Sequence, residues 1–253
     1  MKWRFLKLST YDGFMNMALD EAIAKAVGAG KVPPTIRFYT WNPPAVSIGY
    51  FQEVEVEVNI DYCRSRGIDI VRRITGGGAV YHGPGELTYC IAVPQDYPLI
   101  PSDIVESYKV LCQGIICGLK RLGIEARFRP INDIEIKGRK VSGSAQTRRF
   151  GAVLQHGTLL IDVDVDVMFN ALKIAEEKMR DKAIKEFKKR VTSLKEETGR
   201  SLSHFEVAEV LKEGFEESLG IELIEKTLSE DEVKDALKLR NEKYATREWN
   251  FMR

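Results

Sequence analysis

Between residues 15 and 27 the apolar positions Met15, Leu19, Ala22, Ile23, Ala26 and Val27 recur at helical spacing, and Gly28 supplies a stop. Short runs rich in β-branched and aromatic residues follow at 35–39, 45–48, 68–73 and 86–93. In the last of these Leu87, Tyr89, Ile91 and Val93 alternate with their neighbours, which predicts a strand facing a core. Ser102 is expected to N-cap a long helix that ends near Leu122, with Gly123 just past its C-terminus. Further strands are expected at 124–128, 133–136, 140–145 and 153–161. The last third reads as helical and carries two S-x-x-E capping boxes, Ser203 with Glu206 and Ser229 with Glu232. Strand-dense blocks broken by single helices favour an α+β fold with a mixed sheet over regular βαβ winding. No repeat, linker or shift in composition divides the chain, so residues 1–253 are expected to form a single domain.

Composition narrows the functional classes. Apolar residues make up 44% and charged residues 30%, which rules out wholesale disorder. The 38 basic and 37 acidic side chains leave a net charge of +1, without the basic excess that a nucleic-acid coat needs. No apolar run reaches the roughly 18 residues of a membrane span, and the charged N-terminus lacks the apolar stretch of a signal peptide. A soluble, cytoplasmic protein with reduced thiols is expected, with neither nucleic acid nor membrane as partner. Cys63, Cys90, Cys112 and Cys117 form no C-x-x-C pair, and His82, His156 and His204 are scattered, so no zinc motif is spelled out. Cys112 and Cys117 fall inside the long helix, where they read as small buried apolar residues.

The run Arg72-Arg73-Ile74-Thr75-Gly76-Gly77-Gly78-Ala79-Val80-Tyr81-His82 is where chemistry is concentrated. Three consecutive glycines after a strand carry an entropic cost that close backbone approach to a ligand would explain. Their amides can form a nest for phosphate oxygens, and the paired arginines can add bidentate charge. No Gly-Lys-Ser/Thr follows, so this is not a Walker loop. A plain hairpin bend with both arginines solvated is the other reading of the same residues.

Together with Asn16-Met17-Ala18-Leu19-Asp20-Glu21, Asn132-Asp133, Gly138-Arg139-Lys140-Val141-Ser142-Gly143-Ser144-Ala145, Gln155-His156-Gly157-Thr158, Arg190-Val191-Thr192-Ser193-Leu194 and the closing Glu248-Trp249-Asn250-Phe251, that loop resembles the lipoate–protein ligase A family over nearly the whole chain. The resemblance implies a biotin-protein-ligase-like α+β fold, a mixed sheet with flanking helices. It implies that lipoate is activated with ATP to lipoyl-AMP and passed to a lysine of an acceptor domain, such as an E2 subunit or the glycine-cleavage H protein. By the same resemblance Arg72, Arg73, Gly77, Gly78, Ala79, Val80, Tyr81 and Lys140 would meet the nucleotide. His82, Lys140, Gly143 and His156 would meet the acyl substrate, with Lys140 catalytic. Asn132-Asp133 reads either as an Asx turn opening a strand or as a site where Asp133 holds the Mg²⁺ that accompanies ATP, since one carboxylate plus substrate phosphates is how that ion is usually bound.

Two departures bear on this reading. The segment His82-Gly83-Pro84-Gly85 is similar to that of octanoyltransferases of the same fold, which form a thioester on an active-site cysteine and need no ATP. Yet no cysteine follows Cys117, and Arg129-Pro130-Ile131-Asn132 and Thr158-Leu159-Leu160 stand where those enzymes carry it. The chain also ends where many family ligases continue into an accessory domain, so a separately encoded small subunit is an expected partner. The basic stretch from Lys178 to Lys195 would steer an acidic acceptor, or is simply a solvated helix face. A non-enzymatic module that binds lipoate or an acceptor is the alternative from a different class.

Overall fold

Trp3 and Phe5 point to one side of the first strand and Leu6 to the other, and helices cover both sides. The computed structural model describes residues 1–173 and 179–253. The strands of its large sheet are β1 (Lys2–Tyr11), β2 (Thr35–Trp41), β6 (Glu86–Pro94), β7 (Arg127–Arg129), β8 (Asp133–Ile136), β9 (Arg139–Arg149), β10 (Ala152–Leu160) and β11 (Glu222–Lys226). Their order is β11-β1-β2-β6-β10-β9-β8-β7. The β11-β1-β2 edge is parallel, and pairing from β2 through to β7 is antiparallel. A second sheet, β4-β3-β5, joins β3 (Ala45–Ile48), β4 (Asp69–Arg72) and β5 (Val80–His82). This is the mixed α+β architecture that the sequence predicted.

Helices α4 (Ile104–Arg121) and α8 (His204–Leu219) pack Leu111, Ile115, Leu211 and Phe215 against Phe5, Phe38 and Tyr89 on one face of the large sheet. Helix α1 (Gly13–Gly28) buries Leu19 and Ile23 against Leu6, Tyr39 and Cys90 on the other, with Ala236 of α9 (Glu230–Leu239) beside it. Two covered faces explain one departure. Residues 86–93 were expected to bury alternate positions, yet every residue of that strand is buried, Cys90 and Ala92 in the second core as firmly as Ile91 in the first.

The shorter helices are α2 (Val54–Glu57), α3 (Ile60–Ser65), α5 (Val165–Ala171), α6 (Arg180–Arg190), α7 (Leu194–Thr198) and α10 (Arg247–Asn250). Both capping boxes form as expected. The N-cap of α4 is Asp103, one residue beyond the expected Ser102: its carboxylate accepts from the Glu106 amide at 2.9 Å. Gly123 has φ +76°, as a residue past a helix end requires. Of the strand expected at 124–128 only Arg127–Arg129 pairs, and Ile124 turns into the core instead. Strands β1, β5 and β11 were not foreseen. Lys137 and Gly138, both at positive φ, close the two-residue turn that joins β8 to β9. That turn sets the register that brings Lys140 towards the small sheet. No helix is long and apolar enough to cross a membrane among the described residues.

Candidate functional site

Where the small sheet meets β9 and β10 lies a cavity of about 400 Å³. The glycine loop and β5 form one wall, β9 and β10 the floor, and side chains such as Met168 of α5 and Phe187 of α6 an apolar side. Of the predicted site residues, Arg73, Gly77, Gly78, Ala79, Val80, Tyr81, His82, Lys140, Gly143 and His156 all line it. Asp133 stands just behind, against Lys140.

Arg72 does not belong there. Its side chain is completely buried, and it donates to the carbonyls of Gly49, Tyr50, Gln52, Trp249 and Asn250 at 2.7–3.1 Å. The Asn250 side chain accepts from the Arg72 amide, and Trp249 donates to the Arg72 carbonyl. The expected phosphate ligand is therefore a staple that holds the C-terminal segment against β4. The adjacent arginine in the sequence pair lies just past the end of β4 and obeys a different constraint.

Arg73 does face the cavity, but its guanidinium is turned inwards. It donates to the carbonyls of Gly76 and Gly78, both at 2.8 Å, to the Ser47 carbonyl at 3.0 Å, and to the hydroxyls of Ser47 and Thr75, each at 3.1 Å. Burial pushes its pKa down to about 10, still well above neutrality. The cation thus shapes the loop rather than reaching out as a fork for phosphate. Backbone approach fixes the other side: a Cβ on Gly49 would sit 2.0 Å from the Gly77 carbonyl, and Gly77 holds φ +93°. Gly76 and Gly78, by contrast, have open space beside them. The plain-bend reading, with solvated arginines, does not describe this loop.

Lys140 is the cation that reaches the cavity. Its side chain is 41% exposed and its ammonium lies 2.7 Å from Asp133 Oδ1. Gly143 makes room for it, since a Cβ there would fall 2.7 Å from both Cε and Nζ of the lysine. Thr192 anchors the strand from the other side by donating its amide to the Lys140 carbonyl at 2.8 Å. The neighbouring Arg139 is tied to Glu196 and Glu197 of α7 and so leaves Lys140 alone at this edge. The carboxylate expected to hold Mg²⁺ is thus paired with a lysine, and no group of three or more His, Cys, Asp or Glu side chains among the described residues could hold a metal. Asp133 alone builds no magnesium site, and Mg²⁺ would be held there only together with the phosphates of a bound nucleotide.

Both histidines are buried and doubly engaged. His82 Nδ1 is 2.6 Å from Glu86, its Nε2 is 2.7 Å from the Ser47 hydroxyl, and its ring stacks on Trp41 at 4.0 Å. His156 Nε2 is 2.7 Å from the Thr75 hydroxyl and its Nδ1 is 2.9 Å from Asp20. Burial alone would raise the Asp20 carboxyl, but the bond from His156 and the charge of Arg37 outweigh it and hold Asp20 below the ordinary carboxylate value. Tyr81 is pushed up to about 12 by burial and so keeps its phenolic proton at neutral pH. Ser47, Thr75, Asp20 and Glu86 were not singled out from sequence. The available signal was a charge or hydroxyl inside an otherwise apolar element, as in Ala18-Leu19-Asp20-Glu21-Ala22.

None of the four cysteines lines the cavity. Cys63, Cys90 and Cys112 are buried in packed cores, whereas Cys117 is only half-buried. Burial pushes all four thiols up, Cys63 and Cys112 to about 11, so none carries the thiolate a nucleophile needs. Of the basic stretch, Lys178 lies outside the described residues, and α6 buries none of its own. Its Phe187 nonetheless reaches the cavity.

Residues 12–216 match the family described as the lipoyl protein ligase A/B catalytic domain. Octanoyltransferase LipM of Brevibacillus brevis is 38% identical over 275 residues, spanning 100% of this chain and 99% of that protein. Among solved structures, that of a bi-partite lipoate protein ligase, from work that also covered its E2 lipoyl domain, in Thermoplasma acidophilum superposes with a TM-score of 0.89. It is 36% identical and the match covers 99% of this chain and 96% of that one. A lipoate-protein ligase A bound with ATP gives a TM-score of 0.85 at 32% identity, covering 99% of each chain.

Proposed function

The chain belongs to the lipoyl protein ligase A/B catalytic-domain family, and from that premise we propose that it is an ATP-dependent lipoate–protein ligase. One observation carries this choice within the family: the cavity contains a lysine ammonium and a glycine loop, but no thiol. Transfer through an enzyme-bound thioester lacks its nucleophile here, while the adenylate route needs only the groups that are present.

Adenylation joins two anions, the lipoate carboxylate and the α-phosphate of ATP. A carboxylate oxygen attacks the α-phosphorus, and pyrophosphate leaves. The Lys140 ammonium, a compact point charge, offsets the repulsion and follows the charge that develops on the reacting oxygens. The loop at 76–79 gives the phosphates backbone without side chains, and the inward Arg73 keeps it in one conformation. Met168, Leu172, Phe187 and Val191 offer an apolar wall for the acyl chain. In the second step the amine of an acceptor lysine attacks the carbonyl of the mixed anhydride and AMP leaves. Lys140 polarises that carbonyl, and Tyr81 remains a neutral hydrogen-bond donor. No step passes through a protein-bound metal, so Mg²⁺ enters only with the nucleotide.

The acceptor is a lysine on a lipoyl domain, in E2 subunits or the H protein. The bi-partite Thermoplasma ligase supports including a second small subunit in the assay. The names of the sequence relatives and the His82-Gly83-Pro84-Gly85 segment favour a second reading, octanoyl transfer from a carrier protein. The deciding experiment follows acceptor mass under two conditions. The ligase reading expects lipoylation only with lipoate, ATP and Mg²⁺ together. Modification by octanoyl carrier protein without ATP would overturn it.

A further inference from the structure

Arg73 is buried, with 5% of its surface exposed, yet among the described residues no carboxylate touches it. The five bonds of its guanidinium go to three carbonyls and two hydroxyls. Each hydroxyl leads on to a histidine, and each histidine to a buried carboxylate. One arm runs Arg73 Nε, Thr75, His156, Asp20; the other runs Arg73 Nη1, Ser47, His82, Glu86.

One consistent set of donor and acceptor roles runs through both arms from the arginine outwards. A guanidinium only donates, so both hydroxyls accept from it and are free to give their own proton to the histidine Nε2. Nε2 then accepts, and Nδ1 carries the hydrogen that the carboxylate receives. Every proton in this arrangement is used once. The carboxylates are fixed in turn: Arg37 and Tyr39 donate to Asp20 at 2.9 and 2.8 Å, and Thr88 donates to Glu86 at 2.8 Å. Both carboxylates sit on elements of the rigid large sheet or the helix packed upon it, whereas the loop they reach is single chain.

We propose that Asp20 and Glu86 are positioning residues for the glycine loop, each acting through one histidine and one hydroxyl on one arm of Arg73, so that the guanidinium is held between the Gly76 and Gly78 carbonyls. The two arms pull from different sides, α1 through Asp20 and β6 through Glu86. Each arm steadies a different edge of the guanidinium, so the two contributions are independent. The proposal rests on the nucleotide role given to the loop only for its kinetic readout.

Double-variant cycles test it, with KM for ATP and for lipoate measured in pyrophosphate release. Thr75→Val cuts one arm at the hydroxyl and Asp20→Asn weakens the same arm at its end; Ser47→Ala and Glu86→Gln do the same in the other. Each single change is expected to raise KM for ATP about tenfold, the worth of one buried hydrogen bond, and to move KM for lipoate less than twofold. Two changes in one arm should cost no more than one. One change in each arm should multiply to about a hundredfold. Asp20→Asn also weakens the partner of Arg37, so if that variant does not fold, the Thr75→Val and Ser47→Ala pair carries the cross-arm comparison. Independent effects within one arm, or equal rises in both KM values, overturn the proposal. If the wild type releases no pyrophosphate, the ligase reading has failed and amide exchange at 76–79 decides instead. Faster exchange there in each single variant, with α4 unchanged, supports the arms; an unchanged loop overturns them.

Discussion

Gly143→Ala probes the lysine with a single methyl group. Gly143 lies in the middle of β9, paired with Thr158 on one side and Asp133 on the other, at a negative φ that alanine adopts freely. The added Cβ would sit 2.7 Å from Cε and Nζ of Lys140 and 3.4 Å from Asp133 Oδ1. The lysine tip is the flexible partner, so it retreats by about 1 Å and the strand stays. At an effective dielectric of about 20, moving a unit charge from about 3 to about 4 Å from a substrate oxygen loses about 1.4 kcal/mol. Lys140 is 41% exposed. Solvent screening then roughly halves that figure, so a loss of about threefold in rate is expected. Losing the charge altogether in Lys140→Ala should cost about 10²–10³-fold. Stability should hardly move, because replacing glycine in a compatible conformation stabilises by about 0.4–1 kcal/mol and offsets the crowding. The assay supplies pre-formed lipoyl-adenylate and follows acceptor modification, then measures adenylation separately. Wild-type rates in both steps for Gly143→Ala and Lys140→Ala would refute the role given to the ammonium.

Replacing all four cysteines by Ala or Ser should lower stability, since three are buried, yet leave acyl transfer intact in the folded protein; loss of activity in a folded variant that changes one cysteine would restore the thioester route. Arg72→Met should lower Tm by on the order of 10 °C in a thermal scan, because five buried or part-buried carbonyls lose their donor and the C-terminal segment loses its anchor, at about 3–5 kcal/mol. A Tm within a degree of wild type would mean that the staple contributes little. Gly77→Val, strained at φ +93° and 3.0 Å from the Arg73 guanidinium, should weaken ATP binding measured by calorimetry more than Gly78→Ala, which meets open space; equal affinities would return the loop to a passive turn.

How much of this was legible from sequence depended on the range of the contact that decides each feature. Ser203 with Glu206 and Ser229 with Glu232 bond within one helical turn, so their boxes were written in the local residue pattern. The Gly76-Gly77-Gly78 run marked the loop for the same reason. The small-residue segment after Lys140 was visible, but what Gly143 makes room for depends on where that lysine's own tip falls, which only the pairing with β8 decides. Arg72 and Arg73 looked equivalent because what separates them is distant in sequence: Arg72 ends β4 and reaches Trp249 and Asn250, 177–178 residues away, whereas Arg73, just past the strand, turns onto Ser47 and the glycine loop. Strand β1 went unseen because a charged Arg4 stands between Trp3 and Phe5. Its partner, Glu232, is 228 residues further on, where nothing local announces it.

The stack of His82 on Trp41 gives the cavity its own optical probe. Trp41 is one of three tryptophans; Trp3 lies in the distant core beside Tyr97, and Trp249 is packed on the C-terminal staple. Trp41 alone lines the cavity, with its indole N–H fixed on Thr88 and an imidazole 4.0 Å from its ring. Indole emission responds to the polarity around it. With Trp3 and Trp249 changed to Phe, fluorescence would therefore come from the reaction chamber only. An acyl chain displacing water would change the emission as it binds, without label or turnover.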